Sequence, residues 1–303
     1  MSVESDTGPA FAADLRQWID RETLEAYAFA LPYLAIFAVF LVYPLLKGLY
    51  MSFFEWNLLN PAQSEFVGLQ NYATLLQDPM FWQALKNTTW FVVLTVPLLL
   101  LVSLAMALGI NRGVKGTKVL KFFYFVPYVM TVSIVGFLWL QLYSANGAFT
   151  HHVGWLVGNV LGQEAFAMPA LALVTVWWQA GFYFAILLAG RQGVSERLYE
   201  AAQLDGAGPL RQFKDVTLPQ MRNSIMFVLI AGTVFQFRVF GQVQTMTTGG
   251  PNGSTNTLVY YLYQLGFQTF DLGYGAAVGY VILIILVGVS IINYYLVGQG
   301  VEG

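Results

Sequence analysis

The residues best suited to recognition chemistry lie in one polar stretch, residues 195–219, between two long apolar runs. It holds Ser195, Leu198, Glu200-Ala201-Ala202, Asp205-Gly206, Gly208-Pro209, Val216 and Leu218-Pro219. The pattern predicts helix, turn, helix. Ser195 is suited to cap the first helix. Leu198, Ala201 and Ala202 recur at three- and four-residue spacing on one face. Gly206 and Gly208 permit a sharp turn, Pro209 suits the first turn of a second helix, and Pro219 is expected to stop it. A short helix carrying small alanines and an acid, Glu200, fits a cleft on another protein. An interfacial loop resting on lipid headgroups fits the same composition, and the residue types alone leave both readings open.

Other chemistry is excluded by composition. Cysteine is absent, which removes disulfides, iron–sulfur clusters and cysteine-based zinc sites. The only histidines, His151 and His152, are adjacent, so metal sites built on spaced histidines are not available and no metal is expected. No Gly-x-x-x-x-Gly-Lys-Ser/Thr phosphate loop occurs; the nearest stretch, Gly113 to Gly116, lacks that spacing. The chain is therefore not expected to be an enzyme or to hold a cofactor. A net charge of −2 offers no global basic surface for nucleic acid.

The elements that carry the polar stretch must be membrane helices. Of 303 residues, 57% are hydrophobic and 10% charged, against about 25% charged in soluble domains, and mean hydropathy is +0.60. With about 20 apolar residues needed per crossing, the sequence predicts an all-α membrane protein with six transmembrane helices. The expected spans are 26–46, 87–111, 120–142, 165–190, about 224–245, and one within 272–301 whose core is 276–297. The fifth is interrupted by Arg238, which must lie near the outer end or face protein or water. Pro32, Pro44, Pro97 and Pro127 fall inside spans and are expected to kink them. Residues 1–25 are acidic, lack the apolar stretch of a secretory signal, and are expected to form a cytoplasmic N-terminal segment before a membrane domain over 26–300.

Orientation follows from Lys and Arg. Arg16, Arg21, Arg112, Lys115, Lys118, Lys121, Arg191, Arg197, Arg211, Lys214 and Arg222 would share one side, eleven of the fourteen basic residues. Both termini and the 191–222 loop are therefore expected in the cytoplasm. The turn-rich segment 247–257 lies outside. Asn87-Thr88-Thr89 matches a glycosylation acceptor pattern, but Asn87 is read as a helix cap.

The polar loop resembles the EAA motif of ABC importer permeases: Glu-Ala-Ala, three residues, Gly, nine residues, Ile, one residue, Leu-Pro. Glu200, Ala201, Ala202, Gly206, Leu218 and Pro219 match at that spacing, with Val216 in place of Ile. Further stretches are similar to carbohydrate-type (MalF/UgpA-like, type I) permeases. They are Pro32-Tyr33-Leu34 with Tyr43-Pro44, the run from Phe66 to Tyr72, the run from Phe81 to Thr88, and the run from Met246 to Pro251. Gly241 departs from the pattern, since many relatives carry Asp there.

The resemblance implies a type I ABC importer permease fold and a multi-pass subunit in the inner or plasma membrane of a prokaryote. Its partners would be a second permease subunit, two ATPase subunits that bind ATP and Mg, and an extracytoplasmic substrate-binding protein. The loop 191–222 would be the coupling loop, with Glu200 pairing to basic groups of the ATPase and Gly206 permitting the turn. The solute would be a sugar or oligosaccharide, with glycerol-phosphate or another polar solute as the alternative. In such relatives the pocket is lined by the helices flanking the coupling loop. Thr175, Gln179 and Phe182 share a helical face there, flanked by Trp178 and Tyr183, and Gly232 and Gln236 share a face of span five. Amides suit sugar hydroxyls; the same glutamines also serve as interhelical glue. Arg238 would contact an anionic solute, or bond loop carbonyls or the binding protein. A stand-alone secondary transporter would instead need internal repeats and intramembrane acids, and the spans contain neither.

Overall fold

The computed structural model describes residues 21–110, 116–144 and 147–298. Most of the expected N-terminal segment, Arg112, Lys115 and the last residues of the sixth span lie outside the described residues. The fold is helical. Helix α1 (Arg21–Phe37) runs through a π turn (Ala38–Val42) into α2 (Tyr43–Met51). The wide turn immediately precedes Pro44, whose ring would clash with the carbonyl four residues back and whose missing N–H leaves that carbonyl unpaired. A small hairpin of β1 (Phe54–Glu55) and β2 (Glu65–Phe66) follows, antiparallel with Phe54 opposite Phe66. Helix α3 (Gln70–Gln77) then leads into α4 (Pro79–Ile110). At 32 residues, α4 spans about 48 Å and overruns a hydrocarbon core of about 30 Å.

The third expected span is not one kinked helix. It is α5 (Thr117–Val129) and α6 (Val132–Tyr143), separated by extended backbone at Met130 and Thr131. Pro127, without an N–H, leaves the Phe123 carbonyl short of its helical donor near the end of α5, and at the break itself the Met130 carbonyl accepts Trp178 Nε1 at 3.1 Å. An unpaired buried carbonyl would cost about 1–3 kcal/mol, so this donor makes the break tolerable. Helix α7 (Ala148–Val157) leads to α8 (Glu164–Gln192), the central element.

The loop between α8 and the fifth span holds α9 (Glu196–Leu204), α10 (Pro209–Gln212), a π turn (Phe213–Thr217) and α11 (Leu218–Gln220). Pro219 does not stop the second helix as expected. It sits at the start of α11, and the π turn before it relieves the clash a regular turn would make. The fifth span is also corrected. Helix α12 (Arg222–Phe237) ends with Arg238 exposed at its C-cap, and a separate short helix, α13 (Gly241–Met246), follows. Gly241 permits close packing there: a methyl on it would lie 2.7 Å from both Val132 Cγ atoms, so α13 rests directly on the start of α6. After the 247–257 loop, α14 (Leu258–Tyr263) and a π turn (Gln264–Gln268) precede α15 (Leu272–Gly298). The sequence reading did not anticipate α14.

Helices α4 and α8 form the heart of the packing, with α5 and α12 against them. Gly181 permits the α5–α8 crossing: a methyl there would sit 2.1 Å from the Tyr124 carbonyl oxygen. Ser103 Oγ of α4 donates to the Ala180 carbonyl of α8 at 2.9 Å. The segments Glu25–Met51, Pro79–Ile110, Glu164–Gln192 and Leu272–Asn293 are each long and apolar enough to cross a membrane, and Arg222–Phe237 is a shorter apolar helix. The first of them buries none of its apolar window within this chain.

The loop 247–257 folds back onto α4. Asn87 Nδ2 donates to the carbonyls of Gly253 and Asn256, both at 2.8 Å. Asn87 is therefore no helix cap, because α4 begins at Pro79 and its side chain is committed to the loop. Thr88 Oγ1 accepts the Leu258 N–H at 2.9 Å and so receives the start of α14.

Candidate coupling loop and solute path

Helix α9 begins at Ser195, whose backbone is extended as a cap requires, but its side chain makes no capping bond. The C-terminus is closed more firmly. Gly206 adopts a left-handed φ of +75°. The Ala207 N–H bonds the Ala202 carbonyl at 2.8 Å, and the Gly206 N–H bonds the Gln203 carbonyl at 3.0 Å. This is a Schellman closure, and it requires glycine at Gly206 because a side chain there is strained by about 1 kcal/mol or more. Gln212 Nε2 then donates to the Ala207 carbonyl at 2.7 Å and folds the second limb back.

This geometry sorts the motif residues into two sets. Glu200, Ala201, Gly206 and Pro219 are exposed, while Ala202 and Leu218 are half-buried. Leu198, expected on the packed face, is 40% exposed, and Leu204 and Leu210 are 90% and 81% exposed. The loop thus offers Glu200 and three exposed leucines that no other described residue covers. The packed face is set by Tyr199, only 8% exposed. Tyr199 joins the cluster of Leu104, Leu187, Val194, Met221 and Val228, against which Phe213, Val216 and Leu218 also pack. The sequence reading missed Tyr199, Arg191 and Thr217. The one available signal was Arg191, a charge at the end of an apolar span.

The candidate solute residues are brought together only in part. Gln236 Nε2 of α12 donates to Gln179 Oε1 of α8 at 2.7 Å, so the two predicted amides meet across the helices that flank the loop. A methyl on Gly232 would lie 3.8 Å from the Tyr183 hydroxyl, which places Tyr183 against the same stretch of α12. Thr175 turns elsewhere: its Oγ1 donates to the Leu171 carbonyl and accepts from Gln242 Nε2 at 3.2 Å. Phe182 stacks on Tyr128 of α5, with ring centres 4.9 Å apart, so it does not share the Gln179 surface. Trp178 spends its donor on the Met130 carbonyl. Thr175, Tyr183 and Gln236 are at most 1% exposed, whereas Gln179, Trp178 and Phe182 are half-buried. Gln179 is thus the predicted amide that retains open surface, with Gln236 behind it.

At the end of α4 remote from the 191–222 loop, Asp78, between α3 and α4, accepts the hydroxyls of Tyr261 (2.5 Å) and Tyr274 (2.6 Å) and the Met80 N–H (2.8 Å). Burial raises the carboxyl pKa, but these donors outweigh it and hold it below the ordinary value of 3.8.

A multi-helix membrane subunit with an exposed helix–turn–helix loop and an amide pair bridging the helices that flank it has the form of a transport-complex permease. Residues 100–299 match the family described as the binding-protein-dependent transport system inner membrane component, and the chain belongs to that family. It is 32% identical over 277 residues to the sulfoquinovosyl glycerol transport system permease protein of Agrobacterium fabrum, covering 88% of each chain. It is 34% identical over 270 residues to the diacetylchitobiose uptake system permease protein of Streptomyces coelicolor, covering 82% of this chain and 75% of that one. To the sn-glycerol-3-phosphate transport system permease protein of Yersinia pestis it is 32% identical, covering 91% and 95%. In fold it matches a chain of a bacterial ABC transporter involved in the import of the acidic polysaccharide alginate, with TM-score 0.82 and 24% identity, covering 94% and 99%. The chain is therefore the inner-membrane permease component of a binding-protein-dependent ABC importer, and ATP hydrolysis belongs to separate subunits.

Proposed function

We propose that this permease imports a sugar or oligosaccharide. In this reading it pairs with a second, different permease and sits above two ATPase subunits that bind ATP and Mg. The Gln236–Gln179 hydrogen bond carries the reading: an amide midway along α8 and one near the end of α12 meet between the helices on either side of the loop, with Tyr183 against the same stretch of α12. Amides present donors and acceptors matched to hydroxyls, and polar groups at membrane depth face the bundle interior. The loop 191–222 is the coupling loop, with Glu200 and the exposed Leu198, Leu204 and Leu210 entering the ATPase cleft. Six spans with both termini in the cytoplasm agree with the distribution of Lys and Arg. A phosphorylated polyol is the second reading, favoured by the Yersinia relative.

The test is to purify the chain from its host membrane in mild detergent and identify what accompanies it. The associated binding protein is then titrated with a panel of mono- and oligosaccharides and with glycerol-3-phosphate. Co-purification of an ATPase and a second permease, with saturable saccharide binding, is the expected result. A chain recovered alone that moves solute without ATP would overturn the reading, and glycerol-3-phosphate binding would replace the saccharide with the ester.

A further inference from the structure

Helix α9 is tied to α8 by more than the chain. The covalent link, residues 193–195, includes Gly193 and would let α9 swing. Arg191, in the last turn of α8, is 8% exposed, and burying a guanidinium is costly unless it is well partnered. Its Nη1 lies 3.6 Å from Glu196 Oε1, but that side chain is 74% exposed, so solvent screens the pair and it contributes little. The better shielded partner is Tyr199: the guanidinium carbon sits 4.2 Å from the ring centre, and Tyr199 is 8% exposed, so this cation–π contact is kept from water. The other end of the same ring is held too. The Tyr199 hydroxyl and Thr217 Oγ1 are 2.9 Å apart, and Thr217 is 4% exposed. A cavity of about 680 Å³, lined in part by Gln203, Gln212 and Phe213, opens beside this joint. The limbs of the loop are therefore not packed solidly there, and Tyr199 bridges them.

We propose that Arg191, Tyr199 and Thr217 are positioning residues that make α9 and the inner half of α8 move as one body, so that displacement of the coupling helix reaches Gln179. The proposal rests on the coupling-loop reading above. A ring clamped on its face by α8 and at its hydroxyl by the π turn stops α9 from pivoting about Gly193 and Gly206. Gly190 adds a second close point, since a methyl there would lie 2.2 Å from Ser224 Oγ of α12. The helices on both sides of the loop therefore receive the same displacement.

The experiment uses the whole transporter with its native partner chains in nanodiscs, and reads ATP hydrolysis with and without the loaded binding protein. Tyr199→Phe and Thr217→Val each remove one half of a hydrogen bond and are expected to cut binding-protein stimulation about fivefold, with the ATPase subunits still bound. Thr217→Ser restores the hydroxyl and is expected to restore the stimulation. Arg191→Met is expected to behave like Tyr199→Phe, with partial recovery in Arg191→Lys. A merely structural role would lower Tm in these variants and leave the stimulation ratio unchanged. If Tyr199→Phe fails to assemble, the near-isosteric Thr217→Val and Thr217→Ser pair decides. Wild-type stimulation in Thr217→Val, with Glu200→Ala uncoupled, overturns the proposal alone. Wild-type stimulation in Glu200→Ala as well overturns the coupling-loop reading beneath it.

Discussion

The Tyr274 hydroxyl of α15 donates to Asp78 Oδ2 at 2.6 Å, and Tyr261 of α14 donates to the same oxygen. One carboxylate thus gathers the start of α4, the short α14 and the last long helix. Its folded pKa lies below its ordinary value of 3.8, so the sign is that of an acid stabilised in its charged form. The stabilisation is complete above the unfolded value and lost as pH falls below 3.8 through the folded value. Asp78→Asn is expected to lower stability by about 2 kcal/mol and to flatten the acid limb of a Tm-against-pH curve in detergent.

Gly241 and Val132 make a steric pair. Gly241→Asp places a side chain where Val132 already stands, 2.7 Å from a methyl, and overpacking of this kind costs about 1–3 kcal/mol. Val132→Ala in the same chain is expected to recover most of the loss. A double-mutant cycle on Tm measures it, and simple additivity would show the two residues to be independent.

Glu200 and Gly206 separate recognition from shape. Glu200 is exposed, so Glu200→Ala is expected to change stability by less than about 0.5 kcal/mol while weakening retention of the ATPase subunits in pull-down. Gly206→Ala meets nothing within 4 Å, yet must hold φ near +75°. It is expected to cost about 1 kcal/mol, or about fivefold in ATPase retention, through backbone strain alone.

Gln179 and Gln236 distinguish a solute path from interhelical glue. Gln179→Leu is expected to raise the KM for uptake about tenfold, because this amide retains open surface, and also to lower Tm, because the buried Gln236 amide loses its acceptor. Gln236→Leu is expected to lower stability by about 1 kcal/mol. Equal Tm losses in the two, with unchanged uptake, would assign both to helix packing.

Local chemistry was legible in the sequence. Apolar stretches of sufficient length specify membrane helices wherever they occur, because an unpaired backbone in lipid is too costly. Glycine at Gly206 specifies a left-handed C-cap, and the spacing of Glu200 to Pro219 marked the docking loop before any coordinates. What depends on a residue distant along the chain was not legible. The break between α5 and α6 needs the Trp178 donor as well as Pro127. The seating of α13 needs Val132 against Gly241, and the folded 247–257 loop needs Asn87. The inward face of α9 is chosen by Arg191 and Thr217, which meet Tyr199 only once the helices pack. Sequence by itself determined the kind of protein and the motif that names its family. Tertiary structure decided which polar side chains face one another, because at membrane depth a donor takes whichever acceptor packing brings within about 3 Å.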